Sequence, residues 1–103
     1  MDTVADHSQP AKVQARAKPA DYKAGQVIAE AGGVLLGDMN PIKVTATVTE
    51  PGATTVCQTQ LTAGPDGLGW RCTCHTASDV FCRHLVATAL VARSNVLNQR
   101  TRK

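Results

Sequence analysis

Apolar and polar residues alternate most regularly in the middle of the chain, where Ile42, Val44, Ala46 and Val48 alternate with Lys43, Thr45, Thr47 and Thr49. A period of two predicts a β-strand with one buried face and one face in water. The sequence Glu50-Pro51-Gly52-Ala53 then predicts a chain reversal, because Pro fixes φ and Gly permits positive φ. A second strand is expected from about 54 to 61. Gly64-Pro65-Asp66-Gly67 predicts another turn into a third strand, 68–73, so we expect three antiparallel strands.

Helical periodicity appears only after Cys82. The apolar residues there recur at spacings of three and four: Leu85, Val86, Ala89, Leu90, Val96 and Leu97. This spacing predicts one helix, about 83–95, that packs its apolar side on the sheet. The predicted fold class is therefore α+β, with a small antiparallel sheet of about three strands followed by a C-terminal helix.

The regions on either side of this unit carry weaker signals. Residues 1–19 show neither period, which predicts a flexible N-terminal segment. Residues 21–37 contain glycines at 25, 32, 33 and 37, which favours short extended pieces joined by turns over one helix. We therefore expect one domain over 20–97, preceded by the flexible segment and followed by a basic tail, 98–103.

Composition indicates a thin core. Hydrophobic residues make up 43% of the chain, but there is only one Phe, one Tyr and one Trp. A small domain with so few bulky side chains often depends on a metal, disulfides or a partner subunit. The first thirty residues lack a signal-peptide pattern or any long apolar run, so we expect a cytoplasmic protein with no membrane contact. In a reducing compartment, four cysteines are more plausibly metal ligands or free thiols than disulfides.

Three cysteines and one histidine form the candidate metal site. Side chains two apart in a strand share a face, so Cys72 and Cys74 can point toward one ion, and Cys82 and His84 follow at the start of the helix. A Cys3His set fills all four positions of a zinc ion and leaves none for water or substrate. We therefore expect one structural zinc. Three thiolates and a neutral imidazole around Zn²⁺ give the site a net charge near −1, which Arg71 and Arg83 could offset.

Other interpretations of these residues stay open at this point. Cys57 is in phase with Leu61, which favours a buried small hydrophobe, although a thiolate replacing His84 or a substitute ligand in His75 is conceivable. Closely spaced Cys72 and Cys74 also permit a redox-responsive protein without structural zinc. His7 has no expected role, and Trp70 and Phe81 are expected in the core rather than as stacking surfaces.

The metal motif resembles the SWIM zinc finger, whose pattern is C-x-C, a variable gap, then C-x-H. Here it reads Trp70-Arg71-Cys72-Thr73-Cys74, seven intervening residues, then Cys82-Arg83-His84-Leu85-Val86-Ala87. The resemblance covers roughly 20–97 and implies a zinc-clamped sheet and helix that bind DNA or other proteins. SWIM domains usually accompany a catalytic domain. A chain of 103 residues has no room for one, so we expect this protein to act by binding.

Charge distribution suggests what the partner could be. The net charge is only +3, but no acidic residue follows Asp79. The candidate phosphate-binding residues are Arg83, Arg93, Arg100, Arg102 and Lys103. A larger protein partner, bound through an edge strand or an apolar helix face, is the competing hypothesis. No paired carboxylates, nucleophile-base pair or phosphate loop can be assembled, so we expect neither an enzyme nor a small-molecule substrate.

Overall fold

The computed structural model describes residues 10–40, 42–50, 52, 56–64, 67–73 and 81–101. The elements are helix α1 (Pro10–Arg16), helix α2 (Pro19–Glu30), strands β1 (Val34–Met39), β2 (Lys43–Thr49), β3 (Val56–Gly64) and β4 (Gly67–Cys72), and helix α3 (Arg83–Thr101). The α+β class with a C-terminal helix is confirmed. Among these elements, no helix combines the length and the apolar character that a membrane crossing requires.

The four strands form one antiparallel sheet in the order β1-β2-β3-β4. The predicted alternation is confirmed within β2, because Val44, Ala46 and Val48 are buried. It was wrong for Ile42, which precedes the strand and is 48% exposed. Gly52 has φ +80 after β2, which is the left-handed conformation that glycine adopts readily. Strand β1 is additional to the three predicted strands. It pairs with β2 through a register that shifts between Leu36 and Met39.

Helix α3 covers one face of the sheet and contacts all four strands. The core between them is made of small and medium side chains, together with one aromatic ring: Val44, Leu61, Ala63, Cys72, Phe81, Leu85 and Ala89. The predicted thin core is thus the observed one. The opposite face of the sheet carries Thr45, Thr47, Gln58, Gln60 and Arg71 and is not covered by any described element.

The expectation of extended pieces over 21–37 was wrong for its first part, because α2 runs through Gly25 as a helix. A Cβ at Gly25 would overlap the Val86 side chain and would lie 2.9 Å from the carbonyl oxygen of Arg83. The glycine therefore marks a close approach of α2 to α3 rather than a break in the helix. Gly33 and the following strand β1 fit the extended expectation.

Both predicted ends also differ from the structure. Residues 10–16, expected to be flexible, form α1, and Val13 is fully buried against the core while Ala17 is nearly so. These two residues are four apart and lie on one helix face, a pair too short to register as a periodic pattern. At the other end α3 continues to Thr101. Most of the predicted basic tail is therefore helical backbone.

Candidate metal centre

Two elements bring three of the predicted ligands together. Cys72 is the last residue of β4, Cys82 immediately precedes α3, and His84 is the second residue of that helix. Their residues are buried, with exposed fractions of 3%, 8% and 8% respectively. The three side chains are therefore held in position by packing between the sheet and the helix, as a preorganised site requires.

The three side chains converge on one ring nitrogen. The Sγ atoms of Cys72 and Cys82 each lie 3.7 Å from Nδ1 of His84. Zn–S bonds of about 2.3 Å and Zn–N bonds of about 2.0 Å at a tetrahedral angle place sulfur and nitrogen roughly 3.6 Å apart. The observed separations match this tetrahedral edge. The two distances from Nδ1 are therefore compatible with a metal ion bound through that nitrogen.

The other nitrogen of the same ring is held by a carboxylate. Nε2 of His84 lies 2.7 Å from Oε1 of Glu50, which follows the end of β2. A proton on Nε2 donated to this carboxylate leaves the lone pair of Nδ1 facing the two sulfurs. Metal-ligating histidines typically have such a partner on the second nitrogen. Sequence reasoning missed Glu50, because it lies 34 residues from His84 and the packing of α3 on the sheet brings the two together.

Arg83 extends this polar group toward α2. Its guanidinium lies 3.8 Å from Glu50 Oε2 and 3.8 Å from Asp21 Oδ1. Arg83, expected to offset the charge of a metal site, is therefore paired with two carboxylates in the structure. Arg71 does not contribute in this way, because it alternates with Cys72 along β4 and lies on the open face, where it pairs in register with Gln60.

Electrostatics favour a charged ring when no metal is present. The Cys82 side chain accepts a hydrogen bond from His84 and raises the pKa of the imidazole above its usual value. Burial opposes this effect, and the negative charges of Cys82 and Glu50 add to it. Negative groups on both sides of the His84 ring therefore favour a cation at this site.

Cys57 belongs to the same cluster. Ligand atoms of Cys57, Cys72 and His84 lie within 4.8 Å of one another, so these three side chains could hold a metal ion. Thr59 is directly opposite Cys72 in the β3-β4 register, and Cys57 is two residues from Thr59, hence diagonal to Cys72 on the same face. Its predicted phase with Leu61 is confirmed. The side chain is half-buried and packs against the hydrophobic core, so the expected core position is met in part.

A hydroxyl pair fixes α3 to the sheet one turn beyond the ligands. Thr88 Oγ1 donates to the carbonyl oxygen of His84 at 2.9 Å, and lies 2.6 Å from Thr59 Oγ1. Both threonines are buried. This contact sets the position of the first turn of α3 and hence of His84.

Trp70 and Phe81 are packed beside the centre, as predicted. Their rings meet edge to face with centroids 5.1 Å apart, and Arg16 of α1 lies over the Trp70 ring at 6.0 Å from its centroid. Phe81 is 3% exposed and Trp70 packs against the core. The two rings form an apolar wall next to Cys82.

Several predicted residues fall outside this description. Cys74, His75, His7, Arg102 and Lys103 are not among the described residues, and the side chain of Arg100 is not described. Of the basic residues proposed for phosphate contact, Arg83 is engaged with carboxylates and Arg93 lies half-buried on α3.

Comparisons with known proteins add no relative. No family model matches the chain, and neither the curated proteins nor the solved structures include a match. Function must therefore be argued from the site itself.

Proposed function

We propose that this protein is a non-enzymatic zinc-binding module that uses the metal to fix its sheet to its C-terminal helix and binds a macromolecular partner. The observation that carries the proposal is the spacing of 3.7 Å from Nδ1 of His84 to both Cys72 Sγ and Cys82 Sγ, with Glu50 on the opposite nitrogen. Two thiolates and one imidazole are donors that favour zinc over magnesium or calcium.

The fourth zinc ligand in this proposal is Cys74, as the resemblance to SWIM zinc fingers implies. A complete set of three thiolates and one imidazole leaves no position for a water nucleophile. The described ligands are also buried. A closed, buried site of this type stabilises structure, and it offers a substrate no route to the metal.

The surface left for a partner is the open face of the sheet. In the first two turns of α3, Leu85, Val86 and Ala89 are at 0% exposure, so these apolar side chains are already used in packing on the sheet. The open face instead has a shallow groove of about 500 Å³. Leu35 and Val56 stand at its edge, 74% and 56% exposed.

Exposed apolar side chains beside a polar groove favour a protein partner. Leu35 is opposite Thr47 in register and Val56 is opposite Thr49, so both project from the open face. Branched apolar groups within a hydrogen-bonding surface are typical of sites that bind polypeptides. Protein binding through this face is therefore our preferred proposal.

Nucleic-acid binding is the second candidate, because Lys43 and Arg71 are exposed on the same face. Phosphate binding through such residues would weaken steeply with added salt. A titration of short duplex and single-stranded DNA at low and high ionic strength separates the two candidates. Salt-sensitive binding lost in Arg71→Ala supports nucleic acid, and absence of binding at low salt excludes it.

The zinc proposal is tested by metal content and folding together. We expect one zinc per purified chain, with chelator removing the metal and reducing the helical circular dichroism signal in parallel. The metal's contribution to folding in small zinc modules is on the order of 10 kcal/mol. A zinc-free chain with a stable fold would refute the proposal and leave the redox interpretation of the cysteines.

A further inference from the structure

Cys57 lies beside the candidate metal centre, although the proposed zinc set does not include it. Its Sγ, the Sγ of Cys72 and a ring nitrogen of His84 are all within 4.8 Å of one another. Cys57 is two residues before Thr59 on β3, and Thr59 is directly opposite Cys72 on β4. Both thiols are therefore on the sheet face that α3 covers. Three donors from three elements converge there, and Cys82 is not one of them.

The number and the softness of these three donors decide which ion they suit. A structural zinc ion takes four ligands, and this group supplies three. Thiolates are soft donors that select copper(I), a monovalent ion with a filled d shell that is stable with three ligands. For metal–sulfur bonds of about 2.3 Å, donors at the corners of a triangle around one ion lie roughly 4 Å apart. That spacing is within the 4.8 Å limit of the group.

We propose that Cys57, Cys72 and His84 form a three-coordinate site for copper(I). The site shares Cys72 and His84 with the proposed zinc set, so the two metals exclude each other. The inference goes beyond the zinc proposal and does not depend on it, because these three donors are close together whichever residues bind zinc. Copper(I) replaces the two thiol protons, which pass to solvent, and its oxidation state does not change.

Burial differs among the three donors in a way that suits delivery of the ion. Cys72 and His84 are 3% and 8% exposed, whereas Cys57 is half-buried. A metal site needs an entry path, and the partly exposed thiol is the donor that an incoming ion meets first. The carboxylate of Glu50, 2.7 Å from Nε2 of His84, leaves Nδ1 available for the metal. The ion thus passes from a thiol near solvent to two buried donors.

Two single variants separate the copper(I) site from the zinc site. Cys57→Ser removes a donor of the copper(I) group alone, and Cys82→Ser removes a donor of the zinc set alone. The wild-type protein and both variants are titrated without oxygen, with copper(I) in competition with bicinchoninate and with zinc in competition with a chromophoric chelator. Gln58→Ser, the adjacent residue on the open face, is the matched control. Circular dichroism of each metal-loaded protein measures folding.

We expect Cys57→Ser to lose at least about a hundredfold in copper(I) affinity, since loss of a ligand costs no less than loss of a ligand's hydrogen-bond partner. Its zinc affinity should stay within about tenfold of wild type, and Cys82→Ser should show the reverse pattern. Equal loss of copper(I) affinity in the two variants, or none in Cys57→Ser, would overturn the inference. A wild-type protein that binds copper(I) but not zinc would overturn only the proposed function.

X-ray absorption of the copper-loaded wild-type protein keeps the test valid if a variant fails to fold. Two sulfur neighbours and one nitrogen neighbour at copper are expected from the group. Copper bound by two sulfurs alone, or by three sulfurs, would refute the assignment of these three ligands.

Discussion

The two faces of the sheet differ in almost every physical respect. On the face under α3, Val44, Ala46 and Leu61 are nearly inaccessible, and Cys72 from the same face belongs to the candidate metal centre. On the other face, threonine, glutamine and arginine surround an open groove. Successive residues of one strand therefore lie in opposite environments. Arg71 is on the open face, and the adjacent Cys72 is buried under α3.

The difference indicates that stability and partner binding can be changed separately. Substitutions on the covered face should act on metal affinity and on the free energy of unfolding, because those side chains are desolvated. Substitutions on the open face should leave both nearly unchanged.

Cys82→Ser should abolish the metal site. Serine retains the size of the side chain but is a poor ligand for zinc, so we expect zinc affinity to fall by more than about a hundredfold. Zinc content and thermal unfolding measure the loss. Ser94→Ala, an exposed change on the same helix, is the control and should bind zinc normally. Unchanged zinc content in Cys82→Ser would contradict the assignment of this ligand.

Glu50→Ala should weaken metal binding without removing a ligand. Loss of the carboxylate from Nε2 frees the His84 ring to rotate and to change tautomer, which typically costs about 10–100-fold in metal affinity. Competition with a chromophoric chelator measures the change. Glu30→Ala removes an exposed acidic residue at the end of α2 and controls for net charge. Equal effects of the two variants would show that Glu50 acts only through its charge.

Thr88→Val should destabilise the covered face by about 1–2 kcal/mol, because it leaves the buried Thr59 hydroxyl without its closest partner. Thr88→Ser keeps the hydroxyl and is the matched control. The double variant Thr59→Val with Thr88→Val should recover part of the loss, since no hydroxyl then remains unpaired. Denaturant unfolding of the zinc-loaded protein gives these values together with that of Thr59→Val alone, and strict additivity of the two valine substitutions would argue against the hydroxyl pair.

Arg71→Ala should change the free energy of unfolding by no more than about 0.5 kcal/mol, as exposed substitutions usually do. Zinc affinity should also stay the same, because this side chain lies on the face opposite the metal centre. Zinc titration and chemical unfolding of the variant measure both quantities. A marked loss of zinc affinity would show that the two faces are coupled and would refute the separation.

Sequence patterns predicted the elements that bury one side and expose the other to solvent. The alternation along β2 and the C-x-H step into α3 predicted both the sheet and the place where Cys72, Cys82 and His84 meet. The position of α2 was not predictable from glycine content, since Gly25 serves packing against Val86. Glu50 was missed, and Cys57 was expected mainly as a buried hydrophobe, for a related reason. Their roles depend on pairing between strands, and no local pattern encodes such pairing.

The strand order also bears on how the protein reaches its native state. Each strand pairs with its neighbour in sequence, and Cys72 and His84 are only 12 residues apart. Short-range contacts close small loops at little entropic cost and tend to form early in folding. A metal ion can therefore bind between β4 and α3 before α1 docks. Docking of α1 comes later because Val13 contacts core residues that are distant in sequence. A zinc ion present during synthesis would then act on folding rate as well as on final stability.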